Sequence, residues 1–365
     1  MTSTLTEPSG TLAAALRRSA EIEQVIQQDA SSLRILTGDR PTGYLHLGHY
    51  FGTLANRVRL QDAGAELIVL IADYQVLTDR DTATRLDEYV TGLMLDYLAI
   101  GIDPARAVIF AHSAVPELNQ LMLPFLSLVT VSELRRNPTV KDEIVQSRQA
   151  SVSGLMFTYP VHQAADILCV RANLVPVGQD QLPHVEIART IARRFNDRYP
   201  APGGPGSSGM AVFPAPDALL SQAPLLLGTD GGKMSKSRGN AIELRATPDE
   251  TARLIKSAKT DAMRHVSYDP VSRPEVSSLV LLAALCQDRD PATVADEIGE
   301  AGAAALKRVV TQAVNERFAP VRARRAELAA DPGYIRQVLR DGCERARAIA
   351  ADTLEAVRGV MGTRY

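Results

Sequence analysis

The amino-acid sequence predicts an α/β fold, a parallel sheet flanked by helices, followed from about residue 246 by an all-helical C-terminal domain. Three observations carry that expectation. As far as Val177, short apolar runs alternate with segments of helical period, the pattern of a parallel sheet covered on both faces. Gly38, Asp73 and Gly178 each follow directly on such a run. That puts them together on the rim outside the carboxyl ends of the strands, where ligands bind in folds of this class. Beyond Thr247 the strand-like runs stop.

The elements follow in order. Residues 1–30 read as a helical extension. Leu33 to Thr37 is a short buried strand that runs into Gly38-Asp39-Arg40-Pro41-Thr42-Gly43, and a helix begins near His46 and continues to about Ala63. Glu66 to Ala72 is a second apolar run, bounded by Gly64 and Asp73. Thr84 to Leu98 sets Leu86, Tyr89, Val90, Leu93, Tyr97 and Leu98 on related faces of a helix, which Gly101-Ile102-Asp103-Pro104 stops. Ala107 to Ala111 is a third strand, after which Pro116 opens another helix. Leu174 to Val177 is a short strand and Gln181 to Asn196 a helix. Pro200 to Gly209 is too rich in proline and glycine for either and reads as a loop. Helix-like segments at Thr251–Lys259, Ser277–Leu285, Pro291–Val310 and Asp331–Val360 make up the C-terminal domain. The expected division is therefore 1–30, 31–245 and 246–365.

Composition narrows the function classes. With 365 residues, 45% of them hydrophobic, the chain can build one large or two ordinary cores. A net charge of −2 makes it no general magnet for nucleic acid, so any such contact must come from local basic clusters, Arg189/Arg193/Arg194/Arg198 or Arg322/Arg324/Arg325. The three cysteines are far apart and none pairs with histidine at zinc spacing, so neither a structural metal nor a disulfide framework is expected. No apolar run is long enough to span a bilayer, and Leu12 to Leu16 is too short, with its charges on the wrong side, for a signal peptide. The expected location is the cytoplasm.

Two short motifs carry chemistry. His46-Leu47-Gly48-His49 opens the first long helix. Its glycine lets a nucleotide approach the backbone, its histidines can hydrogen-bond phosphate oxygens, and the helix adds its positive N-terminal end. Lys233-Met234-Ser235-Lys236-Ser237 puts two ammonium groups on a short polar loop, suited to neutralising charge on departing pyrophosphate. The first strand–helix turn has glycines at 38, 43 and 48 rather than the dinucleotide-binding spacing, which excludes a Rossmann dehydrogenase.

With Thr158 to Ile167 (TYPVHQAADI), Leu174 to Arg189 (LVPVGQDQLPHVEIAR) and Ile255 to Asp261 (IKSAKTD), these motifs resemble the class I aminoacyl-tRNA synthetases, in the branch that activates tryptophan. The resemblance runs from about Leu33 to the C-terminus. It is strongest to the second, auxiliary bacterial form, which carries GDRPTG and YPVxQAAD. It implies a Rossmann-type catalytic domain, a helical anticodon-recognising domain and a homodimer. It implies ATP and Mg²⁺, with L-tryptophan and its tRNA as partners.

Residue by residue, the resemblance gives His46, His49, Lys233, Lys236 and Lys141 catalytic roles around the phosphates. It assigns ATP to Arg40, Pro41, Thr42, Gly48, His49, Gly178, Gln179, Asp180, Leu225, Lys233, Met234, Ser235, Lys236 and Ser237. It assigns tryptophan to Tyr159, Gln163, Asp166, Gln75, Val175, Val177 and Gln181, with Asp166 accepting the indole N–H. The spacing of Tyr159, Gln163 and Asp166 independently allows one shared helix face. A buried acceptor selects strongly for indole, which offers one donor and no acceptor.

Three positions depart from the common bacterial pattern: Gln75 replaces a histidine, Gln163 a methionine and Arg40 a glutamine. Gln163 also fits the pocket helix of tyrosyl enzymes. Against that rival, Leu36 and Thr37 occupy the region where a tyrosine pocket presents a second tyrosine. A small-molecule nucleotidyltransferase lacks the lysine loop with a helical tail. A non-catalytic synthetase-like paralogue has no need to keep both motifs intact. The chain contains no tryptophan of its own, which suits an auxiliary enzyme made when tryptophan is scarce.

Overall fold

The computed structural model describes residues 10–78, 85–141, 152–200, 211–221, 225–235 and 238–365. Strands β1 (Arg34–Asp39), β2 (Glu66–Ile71), β3 (Val108–Ala111), β4 (Leu174–Val177) and β5 (Asp217–Leu220) form one sheet in the order β3-β2-β1-β4-β5, all pairs parallel. The order reverses between β1 and β4, so the crevice beyond their carboxyl ends is the switch point at which such sheets bind ligands.

The helices sit where the apolar periods put them. Leu47–His49, a π-helical segment Tyr50–Leu54 and Ala55–Asp62 continue one another after β1. Leu86–Ala99, Pro116–Leu126, Gly154–Cys169 and Leu182–Arg198 cover the sheet. Gly154–Cys169, the pocket helix, starts where the Ser153 hydroxyl accepts the Met156 N–H, and it contains Pro160.

Gly10–Gln28 packs on the edge strand β5. Arg18 pairs with Asp217 at 2.8 Å, and the Leu220 N–H donates to the Ser19 hydroxyl. β5 was not expected from the sequence: it has four residues, follows Pro216 and shows no alternation. The helix Val131–Arg136 was also unforeseen.

The C-terminal helices are Pro248–Ser257, Pro274–Gln287, Pro291–Ile298, Gly302–Ala329 and Pro332–Met361. The expected helix Pro291–Val310 is two, parted at Gly299 and Gly302, whose φ values of 46° and 81° lie in the left-handed region. Beyond that break the chain runs helically through Pro320 to Ala329, where the sequence showed no continuous pattern. The loop expected at Pro200 to Gly209 falls, apart from Pro200, outside the described residues. Among the described residues no helix is long and apolar enough to cross a membrane.

Candidate active site

A cavity of about 380 Å³ opens at the switch point. Its floor is the end of β1 and the residue after it, Leu36 to Arg40, with Leu70 of β2, Ala72 just beyond that strand, and Val175 to Gly178 at the end of β4. The first helix contributes Gly48, His49, Thr53 and Arg57, and the pocket helix contributes Tyr159, Gln163, Asp166 and Ile167. Gln75 and Gln181 complete the wall. Of the residues assigned from sequence, the cavity gathers Arg40, Gly48, His49, Gln75, Tyr159, Gln163, Asp166, Val175, Val177, Gly178 and Gln181.

Its polar groups are held from behind. Asp166 is 1% exposed and its Oδ1 lies 2.9 Å from His112 Nε2. The Tyr159 hydroxyl is 3.1 Å from His184 Nε2, and burial lowers the His184 pKa to about 4, so that ring is neutral. Asp39 takes 2.6 Å hydrogen bonds on Oδ2 from Arg57 Nη1 and from the Tyr97 hydroxyl. Burial works to raise the Asp39 pKa, but the Arg57 charge and these bonds prevail and hold it at about 2. His112, His162, His184, Asp39, Arg57 and Tyr97 were not singled out from sequence. Neither ring of His112 or His162 reaches the cavity surface, and the only sequence signal for either was a histidine inside an apolar run. His112, His162 and Asp166 together bring three possible metal-ligand atoms within 4.8 Å of one another.

The two signature motifs meet. The Leu47 N–H donates to the Ile242 carbonyl and the Leu244 N–H to the Leu45 carbonyl, both at 2.9 Å, which stitches the histidine motif to the segment following the lysine loop. A Cβ on Gly48 would stand 3.1 Å from the His46 ring and 3.4 Å from Met234 Sδ, so the glycine makes room for the His46 ring, with Met234 of the lysine loop alongside. His46 is buried with its ring centroid 3.7 Å from that of His49, and the His46 N–H donates to His49 Nδ1. His46 thus backs the residue that reaches the cavity.

The lysine loop turns on Asn240, which the sequence reading did not single out. Its amide donates to Asp230 Oδ1 at 2.7 Å and to the Lys233 carbonyl at 3.1 Å, and its oxygen accepts the Ser235 N–H at 2.8 Å. Lys233 is exposed and Met234 buried, while Lys236 and Ser237 lie outside the described residues.

Pro41, Thr42, Lys141, Gln179, Asp180, Leu225, Lys233, Met234 and Ser235 lie outside the cavity lining. Lys141 and Leu225 are exposed. Asp180 is exposed on the turn after β4, its backbone carbonyl accepting from Thr139 and its carboxylate from the Gln181 amide. Several members of the basic clusters are engaged internally: Arg189 with Asp217, Arg194 with Glu133 and Arg325 with Asp96.

Comparisons with known proteins give the family. A family model described as tRNA synthetases class I (W and Y) matches residues 28–319. The tryptophan–tRNA ligase of Treponema pallidum (strain Nichols) is 43% identical over 346 residues, covering 90% of this chain and 97% of that protein. That of Clostridium longisporum is 40% identical over 343 residues, covering 91% and 97%. The crystal structure of tryptophanyl-tRNA synthetase from Campylobacter jejuni, complexed with ADP and tryptophan, superposes with a TM-score of 0.77 at 29% identity, covering 90% of this chain and all of that one. The tyrosyl-tRNA synthetase of Archaeoglobus fulgidus, complexed with L-tyrosine, gives a TM-score of 0.62 at 26% identity over 84% of this chain and 93% of that one.

Proposed function

The chain belongs to the class I tRNA synthetases of the tryptophan and tyrosine group, and from that premise we propose how its cavity selects and activates its amino acid. Its reaction is the ATP-dependent activation of L-tryptophan and transfer of the tryptophanyl group to the tRNA for tryptophan. In the first step a carboxylate oxygen of tryptophan attacks the α-phosphorus of ATP, and the bond to the β-phosphate oxygen breaks to release pyrophosphate. In the second a terminal ribose hydroxyl of the tRNA attacks the acyl carbon, and AMP leaves.

The observation that carries the residue assignment is Asp166, a carboxylate 1% exposed at the base of a cavity whose walls include Val175 and Val177. In our reading it accepts the indole N–H. Gln163 and Gln75 border the ring, Gln181 orients the α-ammonium, and Arg40 meets the substrate carboxylate. Gly178 and Asp180 take the ribose, with Gln179, Pro41 and Thr42 framing the nucleotide. Met234 and Leu225 border adenine. His46, His49, Lys233, Lys236 and Lys141, with Ser235 and Ser237, face the phosphates. Mg²⁺ belongs to the nucleotide in this reading. Asp39 is engaged by Arg57 and Tyr97, and Asp166 is held on Oδ1 by His112 with its other oxygen kept for the indole N–H, so phosphate oxygens and water would hold the ion. A homodimer belongs to this reading, and sedimentation at varied concentration tests it.

Amino-acid-dependent ATP–pyrophosphate exchange tests the reading as a whole. Tryptophan should drive exchange, and stimulation by tyrosine alone would overturn it. Asp166→Ala should raise the tryptophan KM and lower discrimination, because a buried donor left without its acceptor costs about 1–3 kcal/mol. Unchanged tryptophan KM and selectivity would remove Asp166 from the role.

A further inference from the structure

We infer that His112 is the positioning residue for indole recognition: from outside the cavity wall it fixes the Asp166 carboxylate so that one oxygen is held and the other is left for the substrate N–H. The inference deepens the reading above and rests on Asp166 being the indole acceptor.

The geometry is specific. His112 follows β3 directly and is fully buried, and its Nε2 lies 2.9 Å from Asp166 Oδ1. Among the described residues Asp166 Oδ2 has no hydrogen-bond partner, although Asp166 lines the cavity and His112 does not. The histidine ring is itself clamped. Tyr74 stacks on it at 6.2 Å with an interplanar angle of 18°, and His162 meets it edge-on at 4.8 Å. His162 is held in turn by Asn119, whose Oδ1 lies 3.0 Å from His162 Nε2. On the far side Asp73 Oδ1 is 3.9 Å from His112 Nδ1, and that carboxylate is pinned by the Tyr74 N–H and by the N–H and hydroxyl of Ser113.

A free carboxylate rotates about its terminal torsion, a broad twofold well, and would present either oxygen to a ligand at varied angles. A donor locked on Oδ1 removes that freedom, so the acceptor is set before tryptophan arrives. The charge environment is consistent with a strong bond. Burial opposes a charge on His112, but Asp166, and Asp73 beyond it, raise its pKa above the ordinary histidine value. His162 goes the other way: burial lowers its pKa and leaves it neutral, so of the two rings His112 is the one suited to pairing with Asp166.

The test compares tryptophan with benzothienylalanine, which has sulfur in place of the indole N–H and needs no acceptor. Exchange kinetics with both substrates are measured for the wild type, His112→Leu, His112→Gln and Asp166→Ala. His112→Leu should lose tryptophan-over-benzothienylalanine selectivity by roughly ten- to a hundredfold, the loss of one charge-assisted bond, through KM for tryptophan with kcat nearly unchanged. His112→Gln, whose amide reaches the position of Nε2, should restore most of it. If His112→Leu does not fold, His112→Asn takes its place. It is polar but too short to reach Asp166, so it should lose what His112→Gln keeps, and equal selectivity in the two would overturn the inference. Selectivity kept in His112→Leu but lost in Asp166→Ala would leave the Asp166 reading standing and refute the role of His112. Selectivity kept in Asp166→Ala would refute both.

Discussion

Arg57 shows what a single residue holds in place. It is 2% exposed, ties β1 to the first helix through Asp39 at 2.6 Å, and donates also to the Gly38 carbonyl. Without it Asp39, with Tyr97 as its remaining partner, is a partly buried carboxylate at the cavity floor with its counter-charge removed. Removing one partner of a buried ion pair destabilises by about 3–5 kcal/mol. Arg57→Met should therefore lower the urea-unfolding free energy by that order at neutral pH, and a change below about 1 kcal/mol would show that the pair is not structural. The pH sense follows from the depressed Asp39 pKa, which adds stability above the unfolded carboxylate value. That stability is lost as pH falls toward about 2. In Arg57→Met this part of the acid sensitivity should disappear. Sequence pointed to Asp39 only as a member of a motif. Its partners Arg57 and Tyr97 lie 18 and 58 residues away, on helices whose other members give no sign of a charge pair.

At the scale of elements, the lysine loop turns on Asn240. Asn240 is 2% exposed, and its amide closes the loop onto Asp230, Lys233 and Ser235. A Cβ on Gly228 would sit 2.3 Å from the Asn240 side chain, so the glycine leaves room for the clamp. Asn240→Ala should slow adenylate formation by roughly tenfold or more while leaving tryptophan affinity within about twofold, because in the proposed reading the loop acts on charge that develops as pyrophosphate leaves. Single-turnover rates measure the first. Indole fluorescence measures the second directly, since the protein has no tryptophan of its own. Equal loss of rate and affinity would contradict the division. The strands β1 to β4 and the helix after each were legible because apolar runs and stop signals coincide there. β5 was not, because a four-residue edge strand gains its place from Gly10–Gln28 packed on it, which is tertiary information. The helix Gly302–Ala329 was legible only as far as Val310; beyond it the chain carries Pro320, which local propensity disfavours in a helix but packing tolerates here.

Over the whole molecule, the helical C-terminal part and the sheet share their packing. One cluster of buried residues runs from Ile35 and Leu67 in the sheet through Leu279 and Val280 to Phe318 and Ile335. The last helix lies against β3 so closely that a Cβ on Gly342 would stand 1.9 Å from the Ile109 carbonyl oxygen. Between the two parts sits one deeply buried carboxylate. Asp96, on Leu86–Ala99, is 1% exposed and bonds Arg325 of Gly302–Ala329 at 2.7 Å. Burial raises its pKa to about 6 in spite of Arg325, the reverse of the usual ion-paired carboxylate. The folded state therefore binds the proton more tightly than the unfolded chain does. Asp96 favours folding most below the unfolded carboxylate pKa, and the contribution is lost as pH rises through about 6. A difference of roughly two pKa units corresponds to at most about 3 kcal/mol. Wild-type stability measured against Asp96→Asn should thus improve from pH 7 to pH 5, since asparagine keeps the shape and cannot titrate. A stability difference between the two proteins that is flat over that interval, or that moves against the wild type on acidification, would mean that Arg325 dominates and that the joint between the two parts is an ordinary ion pair.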